Sequence, residues 1–432
     1  MSANENHITA KDSSWGERAR LYAYSIASLA QVETTAQGES IPRYGRGSAT
    51  AAEAQAAETV RQRLHQLGVD DVRTQPFQGL RSIWLFLAMA MGFALAGHTA
   101  YWLLVPFGEA GSLGKWPGLV ISILLFAFAG WLLWRKFTFH SYPLRQSLPH
   151  GPSQNVIAVL PPSGEVQRRV VLLGHLDSHR AVLWYAHDLI VRLYGLIAVP
   201  LVLYGTYLAP LLYLLAVLTG WTGFAAAALG LGLLHFVLWL TGLTADLGPY
   251  SPGANDNASA VGTLLALAER LRQQPLQHTE VWLAFTGCEE TGCDGLLAML
   301  QQHGDRLKDA LWLDFELVGI GERLVYLNRE GVLRKPRIPR GIESRLRAAA
   351  ARAGIPLESV DAGGLGAFTE AGALWERGFQ AICVVSLRQN SSLLPEWHRL
   401  TDTPDRLQSA ALGRAHELAW AVLQDEAEQE TR

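Results

Sequence analysis

The most prominent pattern along the chain is a set of long, uncharged hydrophobic runs separated by segments with helical or strand periodicity. Residues 83–107 and 116–134 contain no Lys, Arg, Asp or Glu, and neither does the longer run 193–245. The longer run is divided near its middle by "TGWTG" at 219–223. A helix of about 20 apolar residues crosses roughly 30 Å of hydrocarbon. The pattern therefore predicts four transmembrane helices in two hairpins, because four such runs are hard to enclose as core helices in a soluble protein of this size.

The residues that flank the uncharged runs carry an asymmetric distribution of positive charge. A hairpin returns to the side from which it starts, so everything outside the two hairpins shares one side of the membrane. Six basic residues lie on that side, whereas the hairpin tips contribute Glu109 and Lys115. Cytoplasmic flanks are enriched in Lys and Arg, which predicts an integral inner or plasma membrane protein with its polar part in the cytoplasm. The six flanking residues are Arg81, Arg135, Lys136, Arg145, Arg180 and Arg192.

The segments outside the hairpins alternate between helical and strand patterns, as is typical of an α/β domain. Helical periodicity occupies 13–31 and 48–68, and a further helix follows "GANDNASA". Strand patterns occur in "DVRTQPF", "NVIAVL", "VVLLGHLDS", "TEVWLAFTG", "ALWLDFELVG" and "QAICVVSL", and we expect the second and third of these to be adjacent strands. The alternation predicts a mostly parallel or mixed central sheet flanked by helices. The domain comprises 1–80, 141–188 and 247–432, and the hairpins at 81–140 and 189–246 are inserted into it.

Acidic and imidazole side chains lie at the ends of several predicted elements. A single acid at such a position is ordinarily a helix cap or a solvated loop residue, but in a largely parallel sheet the carboxyl ends of the strands meet at one edge. Several acids crowded there repel one another unless a cation compensates them. Two His and three carboxylates suit zinc, and one carboxylate can bridge two ions. The candidate residues are His175, Asp177, Asp256, Glu289, Glu290, Glu316 and His398.

Composition removes several classes of function. Among the 432 residues, 36 Lys and Arg against 39 Asp and Glu give a formal net charge of -3, which provides no argument for nucleic acid binding. Three cysteines are too few for a disulfide framework and suit a reducing compartment. The first 20 residues are polar and lack the apolar region of a signal peptide. The partners that we expect are therefore a lipid bilayer and the substrate of a metal site.

Five motifs resemble those of the M28 metallopeptidases, which are zinc-dependent aminopeptidases and their carboxypeptidase relatives. The motifs are "GHLDS", "GANDNAS", "CEETG", "DFELVG" and "WHRLTDT", in family order, and they cover most of the chain outside the hairpins. The resemblance implies an exopeptidase with two Zn²⁺ ions and a peptide substrate, and it favours an aminopeptidase. It implies that His175 and Glu316 bind one zinc ion, that Glu290 and His398 bind the other, and that Asp256 bridges both.

Two further carboxylates receive roles from the same resemblance. Glu289 is implied as the general base that takes a proton from the metal-activated water and transfers it to the leaving amine. Asp177 is implied as the group that orients His175 by accepting its second ring N–H. Both roles agree with the chemistry of a carboxylate placed next to a metal ligand without binding the ion itself.

Several residues depart from the family pattern. The position of Glu316 is usually Asp in the family, and Asp314, two residues earlier on the same face of a strand, is the alternative ligand. Trp397 replaces a residue that is often Tyr, so it offers the substrate carbonyl an indole N–H instead of a hydroxyl. Thr369 and Glu370 stand where the family has Ser or Thr followed by Asp. These differences leave the ligand choice and the carbonyl-stabilising group open.

The largest departure is the spacing between His175 and Asp256. The second hairpin accounts for nearly all of the 81 residues that separate them. Lengthening a loop between fixed ends costs only about 0.6 kcal/mol per doubling of its length. We therefore expect the hairpin to be accommodated inside the domain, with the two residues brought together around it.

Other assignments of function differ in what they require. The two His of "HLDSH" have the spacing of a His-Glu-x-x-His zinc site, but Leu occupies the Glu position and the motif follows a strand. A non-catalytic membrane scaffold with a peptidase-like domain needs neither zinc nor Glu289. A transport route needs polar residues in the spans, where His98 and His235 stand out. A neutral His bonded to a neighbouring helix is the simpler interpretation of both.

The sequence leaves open which end of a peptide the site binds. A carboxypeptidase needs a cation for the terminal carboxylate, and Arg388 and Arg399 lie near His398 in the sequence. Both are also typical surface charges. An aminopeptidase instead needs an acidic group for the free amine, and the motifs do not single one out.

Overall fold

The strands form a mixed sheet that collects distant parts of the chain. The computed structural model describes residues 14–34, 40–105, 114–195, 199–363 and 367–428. Two strands form a separate antiparallel pair, and the other eight form one sheet. The strands are β1 (Ala30–Thr34), β2 (Ser40–Tyr44), β3 (Asp71–Leu80), β4 (His150–Leu160), β5 (Arg168–His175), β6 (Thr279–Thr286), β7 (Leu311–Glu316), β8 (Arg323–Arg329), β9 (Glu358–Asp361) and β10 (Gln380–Leu387).

The order of strands in the large sheet is β3-β4-β6-β5-β7-β10-β8-β9. The four central strands, β6, β5, β7 and β10, run parallel, and β4 and β8 pair antiparallel to this group. Strands β6 and β7 are buried along their whole length, as expected for parallel strands covered on both faces. The predicted mixed α/β fold is confirmed. The expectation that "NVIAVL" and "VVLLG" are adjacent was wrong, because β6 inserts between β4 and β5.

The helices outside the hairpins begin and end largely where their periodicity and caps indicate. The first, α1, starts after Ser14, whose side chain accepts the N–H of Glu17, and α2 is followed by Gly68 with a φ of +76°. Helices α1, α8 and α12 pack against one another beside the sheet. The helices are α1 (Trp15–Ala27), α2 (Ala51–Gln66), α3 (Ile83–Leu104), α4 (Lys115–Phe137), α5 (Asp188–Leu193), α6 (Gly205–Thr219), α7 (Thr222–Thr244), α8 (Ser259–Gln273), α9 (Asp294–His303), α10 (Arg340–Arg352), α11 (Glu370–Trp375) and α12 (Ser409–Glu428).

Four helical segments are long and apolar enough to cross a membrane. They are Ile83–Leu104, Lys115–Phe137, Pro200–Thr219 and Thr222–Leu247, in agreement with the two predicted hairpins. The third begins with a wide turn at Pro200–Tyr204 before it continues as α6. The short helix α5 precedes this span, and it carries Asp188 and Arg192. Glu109, assigned to the first hairpin tip, lies outside the described residues.

The two hairpins pack into one bundle through small residues and hydrogen bonds. The Tyr207 hydroxyl donates to the Gly130 carbonyl oxygen at 2.6 Å, which joins the second hairpin to the first. A Cβ at Gly242 would lie 2.6 Å from the Trp84 carbonyl oxygen, so α7 and α3 approach closely there. Small residues allow such approaches between membrane helices. The ends of both hairpins consequently meet the α/β domain at the same place.

His98 and His235 lie within this bundle, and both are hydrogen-bonded. Nδ1 of His98 is 2.7 Å from the Tyr213 hydroxyl, and its Nε2 is 3.0 Å from Nδ1 of His235. Nε2 of His235 is 3.0 Å from the Val202 carbonyl oxygen at the wide turn. These contacts occupy both nitrogens of each ring. The network therefore favours the structural interpretation of these residues over a transport route.

Candidate metal centre

Two strand ends and two loops deliver acidic and imidazole side chains to one edge of the sheet. His175 is the last residue of β5, and Glu316 is the last residue of β7. Because Leu173 of β5 is level with Asp314 of β7, Glu316 is level with His175. The loop after β6 carries Glu289 and Glu290 to the same edge, and the loop after β10 carries His398. The predicted convergence of these residues is present in the structure.

Two triads of side chains meet at Asp256. Its Oδ1 lies 3.4 Å from Nε2 of His175, which is also 3.3 Å from Oε2 of Glu316. Its Oδ2 lies 3.3 Å from Nε2 of His398, which is also 3.2 Å from Oε2 of Glu290. Asp256 therefore presents one oxygen to each triad, and each triad contains one imidazole and two carboxylates.

These separations fit metal coordination. Ligands about 2.0–2.2 Å from a tetrahedral zinc ion are roughly 3.4 Å apart, and the four separations around Asp256 are 3.2–3.4 Å. Two buried carboxylate oxygens of the triads have no hydrogen-bond donor among the described residues. These oxygens are Oε1 of Glu290 and Oε1 of Glu316. Nitrogen and oxygen donors with oxygens still unsatisfied are what a zinc site requires, so the residues fit the ion.

The electrostatics of the cluster also favour the binding of cations. Burial raises the pKa of Glu316 to about 8 against the opposing charge of His175. Burial also raises the pKa of Glu289 well above its ordinary value. His398 is buried, which disfavours its charge, yet Glu290 and Asp256 raise its pKa to about 9. Without cations the cluster retains protons to limit its negative charge, and divalent ions would replace those protons.

The alternative ligand Asp314 is directed elsewhere. Its Oδ2 accepts the N–H of Ala371 at 2.9 Å, at the start of α11. Because Asp314 is level with Leu173, it lies one strand pleat away from His175. Glu370, also buried, accepts a hydrogen bond from the Thr286 hydroxyl at 3.0 Å. Asp314 and Glu370 therefore lie behind the triads, and Glu316 faces His175.

Asp177 holds the loop that carries Glu289 and Glu290. Its Oδ1 accepts the N–H of Glu289 at 3.0 Å, and its Oδ2 accepts that of Glu290 at 3.1 Å and the hydroxyl of Ser48 at 2.6 Å. Nδ1 of His175 lies 3.1 Å from the main-chain oxygen of Asp177 and 3.5 Å from its Oδ1. Asp177 therefore contacts His175 mainly through its backbone, and its carboxylate orients the glutamates.

The "GANDNASA" turn is held from several sides. Oδ1 and Oδ2 of Asp402 accept the N–H groups of Asn255 and Asp256 at 2.7 and 3.0 Å. The side-chain amides of Asn255 and Asn257 also hold the turn. Asn257 donates to the carbonyl oxygen of Phe315, and Oδ1 of Asn255 accepts the N–H of Gly319. The two side-chain amides therefore fix the turn to the end of β7 and to the loop that follows this strand.

Sequence reasoning missed several residues that support the centre. Arg46 is fully buried and donates to three main-chain oxygens, two of them at Pro252 and Gly253 just before Asp256. The ring of His179 stacks on that of His398, with centroids 3.8 Å apart, and Tyr185 meets His398 edge-on at 4.5 Å. His179 ends "HLDSH" and Asp402 lies in "WHRLTDT", so their positions in these motifs could have indicated a role near the site. Arg46 and Tyr185 had no such signal, because they lie far from the motifs in sequence.

An apolar cavity adjoins the triads. Its volume is about 170 Å³, and it is lined by residues of both triads together with apolar side chains. Part of the wall comes from the α/β domain, including Leu317, Phe368 and Leu394, and part comes from the hairpins. The hairpin residues in the wall include Trp84, Leu87, Val202, Leu203, Leu234 and Leu238. The space in front of the candidate metal centre is therefore bounded by the inserted helices.

Part of the chain matches a known protein family. Residues 241–423 match the model of Peptidase family M28. The matched region contains Asp256, Glu289, Glu290, Glu316 and His398, whereas His175 precedes it. A comparison with curated protein sequences finds no match.

Solved structures resemble the whole fold. A zinc aminopeptidase from Bacillus subtilis, BSAP, is 14% identical with a TM-score of 0.53, and the alignment covers 96% of this chain and 96% of that chain. A glutaminyl cyclase from Bacteroides thetaiotaomicron, bound to N-acetylhistamine, is 15% identical with a TM-score of 0.52, covering 94% and 97%. A leucine aminopeptidase precursor from Bacteroides thetaiotaomicron is 14% identical with a TM-score of 0.50, covering 94% and 96%. At these identities the similarity establishes the fold.

Proposed function

We propose that the protein is a membrane-bound zinc exopeptidase, with aminopeptidase activity, that hydrolyses peptide bonds with a water activated by two zinc ions. The observation that carries the proposal is the pair of triads sharing Asp256, with donor separations of 3.2–3.4 Å. The M28 match over residues 241–423 supports it. A non-catalytic scaffold has no need for a complete and buried donor set, so the retained ligands favour an enzyme.

In this proposal His175 and Glu316 would hold one ion, His398 and Glu290 would hold the other, and Asp256 would be shared by the two sites. Glu316 is favoured over Asp314 as a ligand because it is level with His175 and Asp314 is bonded to Ala371. Bound zinc lowers the pKa of its water and polarises the scissile carbonyl. The substitution of Glu for the usual Asp at position 316 is accommodated by Asn257, whose amide donates to Oε2 of Glu316 at 3.0 Å.

Glu289 is the proposed general base. Its Oε2 lies 3.8 Å from Nε2 of His175, so the carboxylate faces the ligands while remaining outside the two triads around Asp256. Its Oε1 accepts a weak hydrogen bond from the Cys293 thiol at 3.5 Å. Burial raises the pKa of Glu289 well above its ordinary value, which favours acceptance of a proton. The protonated Glu289 then donates to the nitrogen of the leaving amine.

The surroundings of the site favour recognition of the amino end of a peptide. Arg388 pairs with Glu396 at 2.6 Å, and Arg399 donates to the Tyr185 carbonyl oxygen and to Asp188. Neither arginine lines the cavity, and no Lys or Arg does so among the residues that the structure describes. A substrate carboxylate would therefore find no Lys or Arg partner in the described wall of the cavity, which favours an aminopeptidase over a carboxypeptidase.

The membrane orientation also belongs to the proposal. Both hairpins start and end at the α/β domain, and their flanks are basic, which favours a cytoplasmic location for that domain. A fluorescent protein fused after residue 432 should fluoresce, and an alkaline phosphatase fused there should be inactive. The opposite result would place the domain on the other side of the membrane.

Glu289→Gln and Glu290→Gln together test the mechanism. Glu289→Gln should abolish hydrolysis of an unblocked peptide while the purified protein retains zinc, as measured by elemental analysis. Glu290→Gln should lose both activity and part of the zinc, because a carboxylate ligand is removed. A library of peptides blocked at either terminus assigns the end that is bound. Wild-type protein without zinc, and without activity after zinc is added, would favour the scaffold.

A further inference from the structure

The cavity in front of the candidate metal centre extends along a membrane helix. Leu234 and Leu238 of α7 line the cavity together with the triad residues. Leu234 precedes the end of α7, Thr244, by ten residues, which corresponds to about 15 Å along the helix at 1.5 Å per residue. Half of a hydrocarbon core of roughly 30 Å is also about 15 Å. The cavity therefore reaches as deep as one leaflet of a bilayer.

Apolar side chains at and beside the cavity are exposed. Val237 of α7 lines the cavity and is 40% exposed. At the level where the hairpins join the α/β domain, three leucines are strongly exposed: Leu183 is 74% exposed, Leu189 60% and Leu247 85%. Exposed apolar side chains around an apolar opening mark a surface that contacts lipid or another apolar partner. The mouth of the cavity is therefore placed for entry from the membrane.

The distribution of polarity along the cavity defines what it can hold. Polar groups are concentrated at the end formed by the triads, where a scissile amide would lie. The end formed by α3, the third span and α7 is lined by aliphatic and aromatic side chains. An apolar chain can lie against an apolar wall without losing hydrogen bonds. A polar chain there would lose its hydrogen bonds to water, which costs free energy. The shape fits an amphiphile with its amide at the ligands and its tail among the helices.

We propose that the substrate is a bilayer-partitioned amide that carries a long apolar chain on the acyl side of the scissile bond, and that this chain lies in the cavity against Leu234 and Leu238. This inference rests on the proposed hydrolase function. Two sources share this chemistry: a peptide whose first residue has a long apolar side chain, and an N-acyl amide. The inserted hairpins are then a wall of the substrate site as well as an anchor.

The test measures the hydrolysis of N-acylglycines with acyl chains of two lengths, with the protein in phosphatidylcholine nanodiscs. The substrates are 2-aminobutanoylglycine and 2-aminododecanoylglycine, and butanoylglycine and dodecanoylglycine, with released glycine measured by mass spectrometry. Partitioning into the bilayer alone raises the ratio of long-chain to short-chain kcat/KM in any variant. The decisive comparison is therefore Leu234→Trp, which fills the cavity, against Leu233→Trp, whose position is 65% exposed and outside the cavity.

We expect Leu234→Trp to lower the long-to-short ratio at least tenfold, because two methylenes forced into water cost about fourfold each. Leu233→Trp should leave the ratio unchanged. Equal ratios in the two variants, or a wild-type ratio of one, would overturn the proposal while leaving the peptidase function intact. If Leu234→Trp does not fold, Leu238→Ala should raise the ratio of hexadecanoyl to dodecanoyl substrates, and an unchanged ratio counts against the proposal. Hydrolysis of the two 2-aminoacylglycines identifies a peptide as the source of the substrate. Hydrolysis of butanoylglycine and dodecanoylglycine identifies an N-acyl amide.

A binding measurement separates this proposal from the proposed function. If wild-type protein cleaves none of the four amides, the hydrolase assignment fails for this substrate class. Metal-free protein is then photolabelled with dodecanoylglycine carrying a diazirine at the end of its tail. Label on α7 near Leu234 that dodecanoylglycine displaces and butanoylglycine does not supports the tail site. Label that neither compound displaces would overturn it.

Discussion

Replacing Arg46 by Lys tests how the turn that presents Asp256 is held in place. The buried guanidinium donates from Nε to the Leu176 carbonyl oxygen, and from its two Nη atoms to those of Pro252 and Gly253, each at 2.8 Å. Gly253 has a φ of +67° and lies three residues before Asp256. Lysine retains the charge, but one compact ammonium cannot span three acceptors that face a planar fork. We expect two of the three bonds to be lost.

The magnitude follows from those bonds. A hydrogen bond to a charged group contributes roughly 1.5–3 kcal/mol, so losing two costs about 3–6 kcal/mol. Unfolding entropy is about 2.1 cal/mol/K per residue, which for a chain of 432 residues converts that cost to a fall in the thermal midpoint of roughly 3–7 °C. Zinc affinity should also fall, because the carbonyl oxygens that position the turn before Asp256 lose their donor.

The assay is differential scanning fluorimetry in nanodiscs with zinc titration by a competing chelator. The matched control is Arg61→Lys on α2, where Arg61 is exposed and pairs with Glu58 at 2.7 Å within its own helix. An exposed surface pair of this kind contributes little to stability. If Arg46→Lys melts no lower than Arg61→Lys and binds zinc equally well, the reasoning about Arg46 is refuted.

Two further substitutions test other parts of the structure. Lys136 lies buried at the end of α4 and donates to the Thr291 carbonyl oxygen in the loop that carries the glutamates. Lys136→Met should lower kcat/KM about tenfold, the equivalent of one charge-assisted hydrogen bond. Lys115→Met, at the other end of α4, is the control and should have no effect. Equal activities of the two variants would contradict a role of Lys136 in positioning the loop of the glutamates. Burial raises the pKa of Glu330 from about 4.5 to about 7. Between these two pH values the folded protein keeps the proton and the unfolded chain has lost it. The free energy of unfolding of the wild type therefore falls as the pH rises from about 4.5 to 7. Glu330→Gln should therefore gain up to about 3 kcal/mol relative to wild type between pH 5 and pH 8, and parallel melting curves across that range would contradict it.

Much of the architecture was predictable from local sequence. The uncharged runs identified the four candidate spans, since length and the absence of charge are sufficient to recognise a helix of that kind. The strand patterns located the parallel strands of the centre, because buried strands read as short apolar runs. The candidate ligands were recognisable because their motifs stand at the ends of these strands.

The arrangement of these parts was decided by tertiary structure. Periodicity does not specify a strand's partner, so the insertion of β6 between β4 and β5 was not foreseen. Asp314 and Glu316 share a strand face, and only the register of β7 against β5 brings Glu316 level with His175. Arg46 carries no local signal, since its role depends on three carbonyl oxygens distant in sequence. The cavity between the hairpins and the domain likewise exists only in three dimensions, because its walls come from segments whose hydrophobicity alone indicates an anchor.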